Sequence, residues 1–133
     1  MKINVDDLFQ TPSPLEPLDL EPFGIFGHEV YVKRDDLIHQ IVSGNKWRKL
    51  KHNIICYTES EKKGIATFGG AHSNHIIALA FVANHLNIPS IAFIRGEKPV
   101  ELSPTLKKVI ELGMHIHYVQ RNVYKNRNKM ISW

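Results

Sequence analysis

The hydrophobic rhythm of the 133-residue chain changes several times, and each change marks an element. Glu29-Val30-Tyr31-Val32-Lys33 alternates polar and apolar, the period-two pattern of a strand, with Gly24 and Gly27 upstream to supply a turn. Prolines at 12, 14, 17 and 22 forbid a regular helix before it, so Thr11–Leu18 reads as an extended surface segment. After Arg34-Asp35-Asp36 a loop runs to Ser43-Gly44-Asn45. Trp47, Leu50, Ile54 and Tyr57 then recur every three or four residues, the apolar stripe of a helix. Ser43 or Asn45 is placed to cap it. Lys46 falls in or beside its first turn, where a cation opposes the helix dipole, and this points to another job for that lysine.

From Gly64 the pattern shortens. Ile65–Phe68 is an apolar strand ended by Gly69-Gly70, and Ser73-Asn74 caps a helix to about Leu86. That helix is apolar on nearly every face from Ile76 to Ala83, which predicts burial between layers. Ser90–Ile94 is a second strand. Ser103-Pro104 opens a helix with Leu106, Val109 and Ile110 as its core face and Gly113 at its end. His115–Val119 is a third strand. Alternation of this kind predicts an α/β fold with parallel strands joined by right-handed crossovers. Glu59–Gly64 is the expected lobe boundary.

Composition narrows the classes. At 43 % hydrophobic and 23 % charged the chain is neither disordered nor a disulfide scaffold, and Cys56, being the single cysteine, has no intramolecular partner. No apolar run reaches the roughly 18 residues of a membrane span, and the acidic start at Asp6-Asp7 is unlike a signal peptide. A cytoplasmic location with no membrane partner is therefore expected. The net charge of +4 divides into −2 for residues 1–50 and +6 for residues 51–133. Arg121, Lys125, Arg127 and Lys129 form a basic tail that attracts phosphate backbones, but no nucleic-acid-binding motif accompanies it, so a nucleic-acid partner is disfavoured. His72-x-x-His75 and the pair His115 and His117 fall short of the convergent ligands that zinc needs, and no metal is expected.

Ligands of open parallel sheets bind at the carboxyl ends of strands. Two segments there carry unusual residues: Ser43-Gly44-Asn45-Lys46-Trp47-Arg48-Lys49-Leu50, and Gly69-Gly70-Ala71-His72-Ser73-Asn74-His75. The glycines of the second let the backbone approach a ligand, and the helix start behind them favours a carboxylate or phosphate. Ser73 and Asn74 either add donors to that site or simply cap the helix. The Gly-x-Gly-x-x-Gly and Walker A spacings are absent, which disfavours a dinucleotide or nucleoside triphosphate.

Taken together, Lys33-Arg34-Asp35-Asp36, Gly44-Asn45-Lys46-x-Arg48-Lys49-Leu50 and Gly70-x-x-Ser73-Asn74-His75 resemble, in order and spacing, the pyridoxal-phosphate-dependent 1-aminocyclopropane-1-carboxylate deaminase and D-cysteine desulfhydrase family. Thr11-Pro12-Ser13-Pro14-Leu15-Glu16 resembles its entry segment, and the likeness runs from about Thr11 to Tyr118. The resemblance implies a parallel-sheet, tryptophan synthase β-like fold (fold type II), of which only the N-terminal part is here. It places residues 1–60 in the cofactor domain and 61–133 in the first part of a small α/β domain. It implies pyridoxal 5'-phosphate as cofactor and a small amino acid as substrate, with deamination or desulfhydration as the reaction. Lys46 matches the lysine that holds the cofactor as an imine and then acts as a base. Ser73 matches the serine beside the substrate, with a catalytic role in handling its carboxylate or a proton. Asn74 matches the asparagine near the cofactor's 3-oxygen, and His75 stands with Ser73 and Asn74 in the substrate-binding loop.

Two departures matter. Ser43-Gly44 stands where Gly-Gly is usual, and nothing matches the family's later phosphate-binding loop or its partner to the pyridine nitrogen. The chain is thus expected to be a fragment or truncated product, inactive alone, binding the cofactor weakly, leaving the apolar faces of Ile76–Ala83 without cover and open to homodimer formation. The alternatives are a non-catalytic remnant serving as an interaction module and a basic nucleic-acid-binding domain.

Overall fold

A computed structural model describes residues 9–130; the acidic start and residues 131–133 lie outside the described residues. β1 (Leu15–Leu18) and β2 (Val30–Lys33) pair antiparallel, with Leu15 opposite Lys33 and Leu18 opposite Val30. The proline-rich segment is thus extended and largely exposed as expected; Leu15–Leu18 also pairs as a strand, and only Ser13, just before it, is buried, at 3 % exposed. Pro17 is tolerated because a two-stranded sheet has an edge on each side, where an N–H is dispensable. Gly24 and Gly27 take positive φ in the connection, as a turn requires.

A short 3-10 turn at Asp35–Leu37 and a loop lead into α1 (Asn45–Thr58). Trp47, Leu50 and Ile54 are its buried stripe, as the spacing predicts. Neither Ser43 nor Asn45 caps it. Gly44 holds the cap position without any side-chain bond, and Asn45 is already helical, because φ +59° and ψ −138° at Gly44 turn the chain where only glycine does so freely.

β3 (Ile65–Gly69), β4 (Ser90–Arg95) and β5 (His115–Val119) form a parallel sheet in that order. α2 (Asn74–His85) and α3 (Pro104–Glu111) connect them, and α4 (Arg121–Lys125) and α5 (Arg127–Met130) follow. This is the α/β, parallel-sheet class expected, here as a partial version with three strands. Register sets Thr67 beside Ala92, and Phe93 between Phe68 and His117. Ala92 and Ile94 are buried on one face, while the rings of Phe68, Phe93 and His117 line the other, with Tyr124 of α4 edge-on to Phe68.

α2 packs against α1, α3, β3 and β4. Ile76, Ala78, Leu79, Ala80, Val82 and Ala83 are buried, so the expectation that its apolar faces lie uncovered does not hold. Small residues at 78, 80 and 83 let neighbouring elements close over it, and only Ile77 and Phe81 remain half-buried. One core runs from Phe9, Ile38 and Val42 through α1 and α2 to Leu106 and Met114. Fully burying one such large side chain contributes about 1.5–3 kcal/mol. On α3, Leu106 and Val109 are buried, but Ile110 is 47 % exposed, one step past the buried arc. No helix among the described residues is long and apolar enough to cross a membrane.

Candidate functional site

Lys46 is the second residue of α1 and is half-buried. Its Nζ donates to Oδ1 of Asn45 at 2.8 Å. The next residue, Trp47, is fixed in the core and stacks on Phe9 with ring centroids 3.8 Å apart, so the helix cannot roll about its axis without breaking that contact. The loop before the helix is itself held. His39 Nδ1 accepts the N–H groups of Ile41 (3.0 Å) and Val42 (3.2 Å), while its ring lies between Phe9 and Phe81. Burial pushes the His39 imidazole below its ordinary value, which suits a nitrogen used as an acceptor.

The second segment leaves β3 at Gly69. A Cβ there would lie 2.5 Å from Ile76 Cδ1 and 3.1 Å from Ser73 Oγ, so glycine is what lets the start of α2 sit against the strand end. A Cβ on Gly70 would meet nothing within 4 Å, which leaves the backbone open to a ligand on that side. Ser73 holds the N-cap position of α2 but makes no side-chain capping bond. Ser103, the N-cap of α3, behaves differently. Its Oγ accepts from the N–H of Leu106 at 3.2 Å and donates to the carbonyl of Ala71, tying the glycine loop to α3. The bland reading of Ser73 as a mere helix cap is therefore not what its hydroxyl does.

His75 joins the two segments. It is half-buried, and its Nε2 lies 3.0 Å from the hydroxyl of buried Thr67. Burial, and then the charges of Lys46 and Lys49, push its imidazole below the ordinary value and favour the neutral ring. Lys46 and His75 thus sit within electrostatic reach. Ser73 and Asn74 share the loop with His75 but form no hydrogen bond to Lys46 among the described residues. A cleft of about 590 Å³ opens beside His75 and Thr67, lined also by Leu50, Asn53, Tyr57 and Leu79. Among the described residues no three His, Cys, Asp or Glu side chains form a metal-binding group, and Cys56 is exposed.

Three contributors carry no role at the site from sequence alone. Thr67 reads there as one more strand residue. Ser103 meets Ala71 across 32 residues, which no local pattern announces. Asp35 has a signal, in that it lies within Lys33-Arg34-Asp35-Asp36, but nothing there says what its carboxylate holds.

Comparison with known proteins identifies the family and the fold. Residues 7–132 match the family described as pyridoxal-phosphate dependent enzyme. The bifunctional D-cysteine desulfhydrase/1-aminocyclopropane-1-carboxylate deaminase of Arabidopsis thaliana is 31 % identical over 124 residues, covering 90 % of this chain and 31 % of that protein. The crystal structure of an ACC deaminase homologue superposes with a TM-score of 0.66 at 28 % identity, over 80 % of this chain and 32 % of that one. A hydrogen sulfide-producing enzyme from Fusobacterium nucleatum shares the fold at a TM-score of 0.62 and 19 % identity, over 98 % of this chain and 41 % of that one. The chain spans about a third of the length of the curated relatives it matches. The parallel α/β frame is that of these relatives, the family model covers nearly the whole chain, and the chain belongs to the pyridoxal-phosphate-dependent enzyme family.

Proposed function

We propose that this chain carries the lysine-bearing part of a pyridoxal-phosphate-dependent deaminase or lyase that acts on a small amino acid, with 1-aminocyclopropane-1-carboxylate and D-cysteine as candidate substrates. The observation that carries the reading is the family match over residues 7–132, together with a half-buried Lys46 at the start of α1 and an N-cap serine, Ser73, whose hydroxyl is not spent on capping α2.

The residues present suit the cofactor's reactive end. Lys46 would hold it covalently and Asn74 would lie beside it, and when bound the group supplies an electron sink for the substrate's carbons. The rest is work for the chain. Lys46 Nζ acts as a nucleophile in its neutral form and, once released, takes or returns a proton beside the reacting carbon. Ser73 Oγ and the N–H groups at the start of α2 bind the substrate carboxylate, with the backbone open on the Gly70 side. His75 stays neutral against Thr67, so it adds no competing cation to the lysine's surroundings.

The experiment is site mapping. The protein is titrated with pyridoxal phosphate, reduced with borohydride, and digested for mass spectrometry. Label is expected on Lys46 ahead of surface lysines such as Lys62 and Lys107, and lost in Lys46→Ala while the circular dichroism spectrum is unchanged. Equal labelling of all lysines would reject the reading.

A further inference from the structure

The start of α1 has no cap of its own, yet it has to present Lys46 in one direction. Gly44 offers no side chain, and no acidic residue occupies the first turn. What grips it lies ten residues upstream. The backbone carbonyl of Asp35 accepts the N–H of Gly44 at 2.7 Å. The carboxylate of the same residue takes both arms of Arg48, with Nη2 on Oδ1 at 2.7 Å and Nε on Oδ2. Asp35 therefore holds the chain on both sides of Lys46, two residues before it and two after.

That clamp is anchored in turn. Ser13 Oγ donates to Asp35 Oδ1 at 2.5 Å, and the carbonyl of Ser13 accepts from Lys33 Nζ. Ser13 is only 3 % exposed, so the carboxylate rests on a fixed neighbour and not on a mobile surface chain. A fork-to-fork Arg–carboxylate pair also fixes orientation in a way that a single ammonium contact does not.

We propose that Asp35 is the positioning residue for Lys46: by holding Gly44 and Arg48 together it sets the path of the first helical turn and with it the place from which the amine is presented. The inference rests on the reading of Lys46 as the cofactor lysine, but the grip itself is testable without any cofactor. The hydrogen bonds from Arg48 and Ser13 hold the Asp35 carboxyl well below the usual carboxylate range, so the clamp stays charged at any pH where the site could work.

Two readouts on the complete chain decide it. The first is amide exchange at Gly44 and Lys46 in the wild type and in Asp35→Asn, which keeps shape but loses the charge. Exchange there should quicken about fivefold, the scale of a partly exposed ion pair, with amides of α2 and β4 unaffected. In an Arg48→Ala background, Asp35→Asn should add little, because its partner is already gone. The second is the rate of borohydride-trapped labelling of Lys46 by pyridoxal phosphate, relative to Lys107 in the same sample. It should fall by a similar factor in Asp35→Asn and recover in part in Asp35→Glu. Unchanged exchange at Gly44 and Lys46 would overturn the proposal, as would a uniform rise across the whole core, which marks general destabilisation. If wild-type Lys46 shows no labelling preference, the cofactor reading fails, and the exchange data then judge the grip of Asp35 separately.

Discussion

Gly69→Ala places a methyl group 2.5 Å from Ile76 Cδ1 and 2.9 Å from its Cγ1, with Ser73 Oγ 3.1 Å away. Gly69 is not among the glycines with positive φ, so the backbone accepts alanine and the effect is purely steric. Ile76 is fully buried and cannot swing into solvent, which leaves displacement of the start of α2 as the main relief. Overpacking of this kind costs about 1–3 kcal/mol. With a urea slope of about 1–3 kcal/mol/M for a small protein, the denaturation midpoint should fall by roughly 1 M. The cause can be separated from a generic loss. Ile76→Val removes the Cδ1 atom that the new methyl group strikes, and on its own it costs about 0.5–1.5 kcal/mol. The double variant should therefore be more stable than the two single effects predict, by more than the roughly 0.5 kcal/mol within which independent sites add. The assay is urea denaturation followed by circular dichroism on all four proteins. A midpoint for Gly69→Ala equal to wild type, or simple additivity in the double variant, would refute the packing argument.

Other expectations follow from the same geometry. Ser73→Ala and Ser103→Ala both remove a hydroxyl from an N-cap position, yet only Ser103 uses it, so Ser103→Ala should cost about 1–2 kcal/mol in urea denaturation and Ser73→Ala under about 0.5 kcal/mol. In a catalytically competent form of the protein, Ser73→Ala should weaken substrate binding far more than cofactor binding, measured by separate titrations. His39 and His75 both titrate below their ordinary value, so the unfolded chain takes up protons that the folded chain refuses. Stability should be level above about pH 6.5, the unfolded histidine value, and decline as pH falls below it toward the depressed folded values. His39→Asn keeps an acceptor near the Ile41 and Val42 N–H groups and should flatten that decline; an unchanged slope would acquit His39. Leu106→Ala, at a fully buried site, should cost about 2–5 kcal/mol, read from the same urea curves.

The regular elements were largely legible because their signal is local. The stripe Trp47, Leu50, Ile54 and the turn pair Ser103-Pro104 each determine an element within a few residues, and both are where the spacing puts them. What escaped is non-local. Leu15–Leu18 becomes a strand only because β2 offers it a partner, and a run rich in proline shows no alternation of its own. Ile110 follows the helical spacing but falls beyond the arc that the core reaches. The cap of α1 departs from expectation because Ser43 and Asn45 are the usual capping types, whereas the turn needs the backbone freedom of Gly44 between them. At the site, Lys46 and the Ser73–His75 loop stand out as motifs, while Asp35, Thr67 and Ser103 act through contacts with distant residues that periodicity cannot encode.

The seating of Trp47 against Phe9 bears on how such a site tolerates change. An α-helix advances about 100° per residue, so the azimuth of every side chain on α1 is locked in phase with its three core positions. Trp47, Leu50 and Ile54 are each 2 % exposed or less, which leaves the helix a single rotational setting. The bearing of the Lys46 amine is thus borrowed from the interior. One residue inserted between Lys46 and Trp47 would turn the amine through about 100° relative to the core positions, with the core itself unaltered. The spacing Lys46-Trp47 is therefore a frozen dimension of this segment, and the stretch before it, with Ile38 and Val42 in the core, is held as firmly.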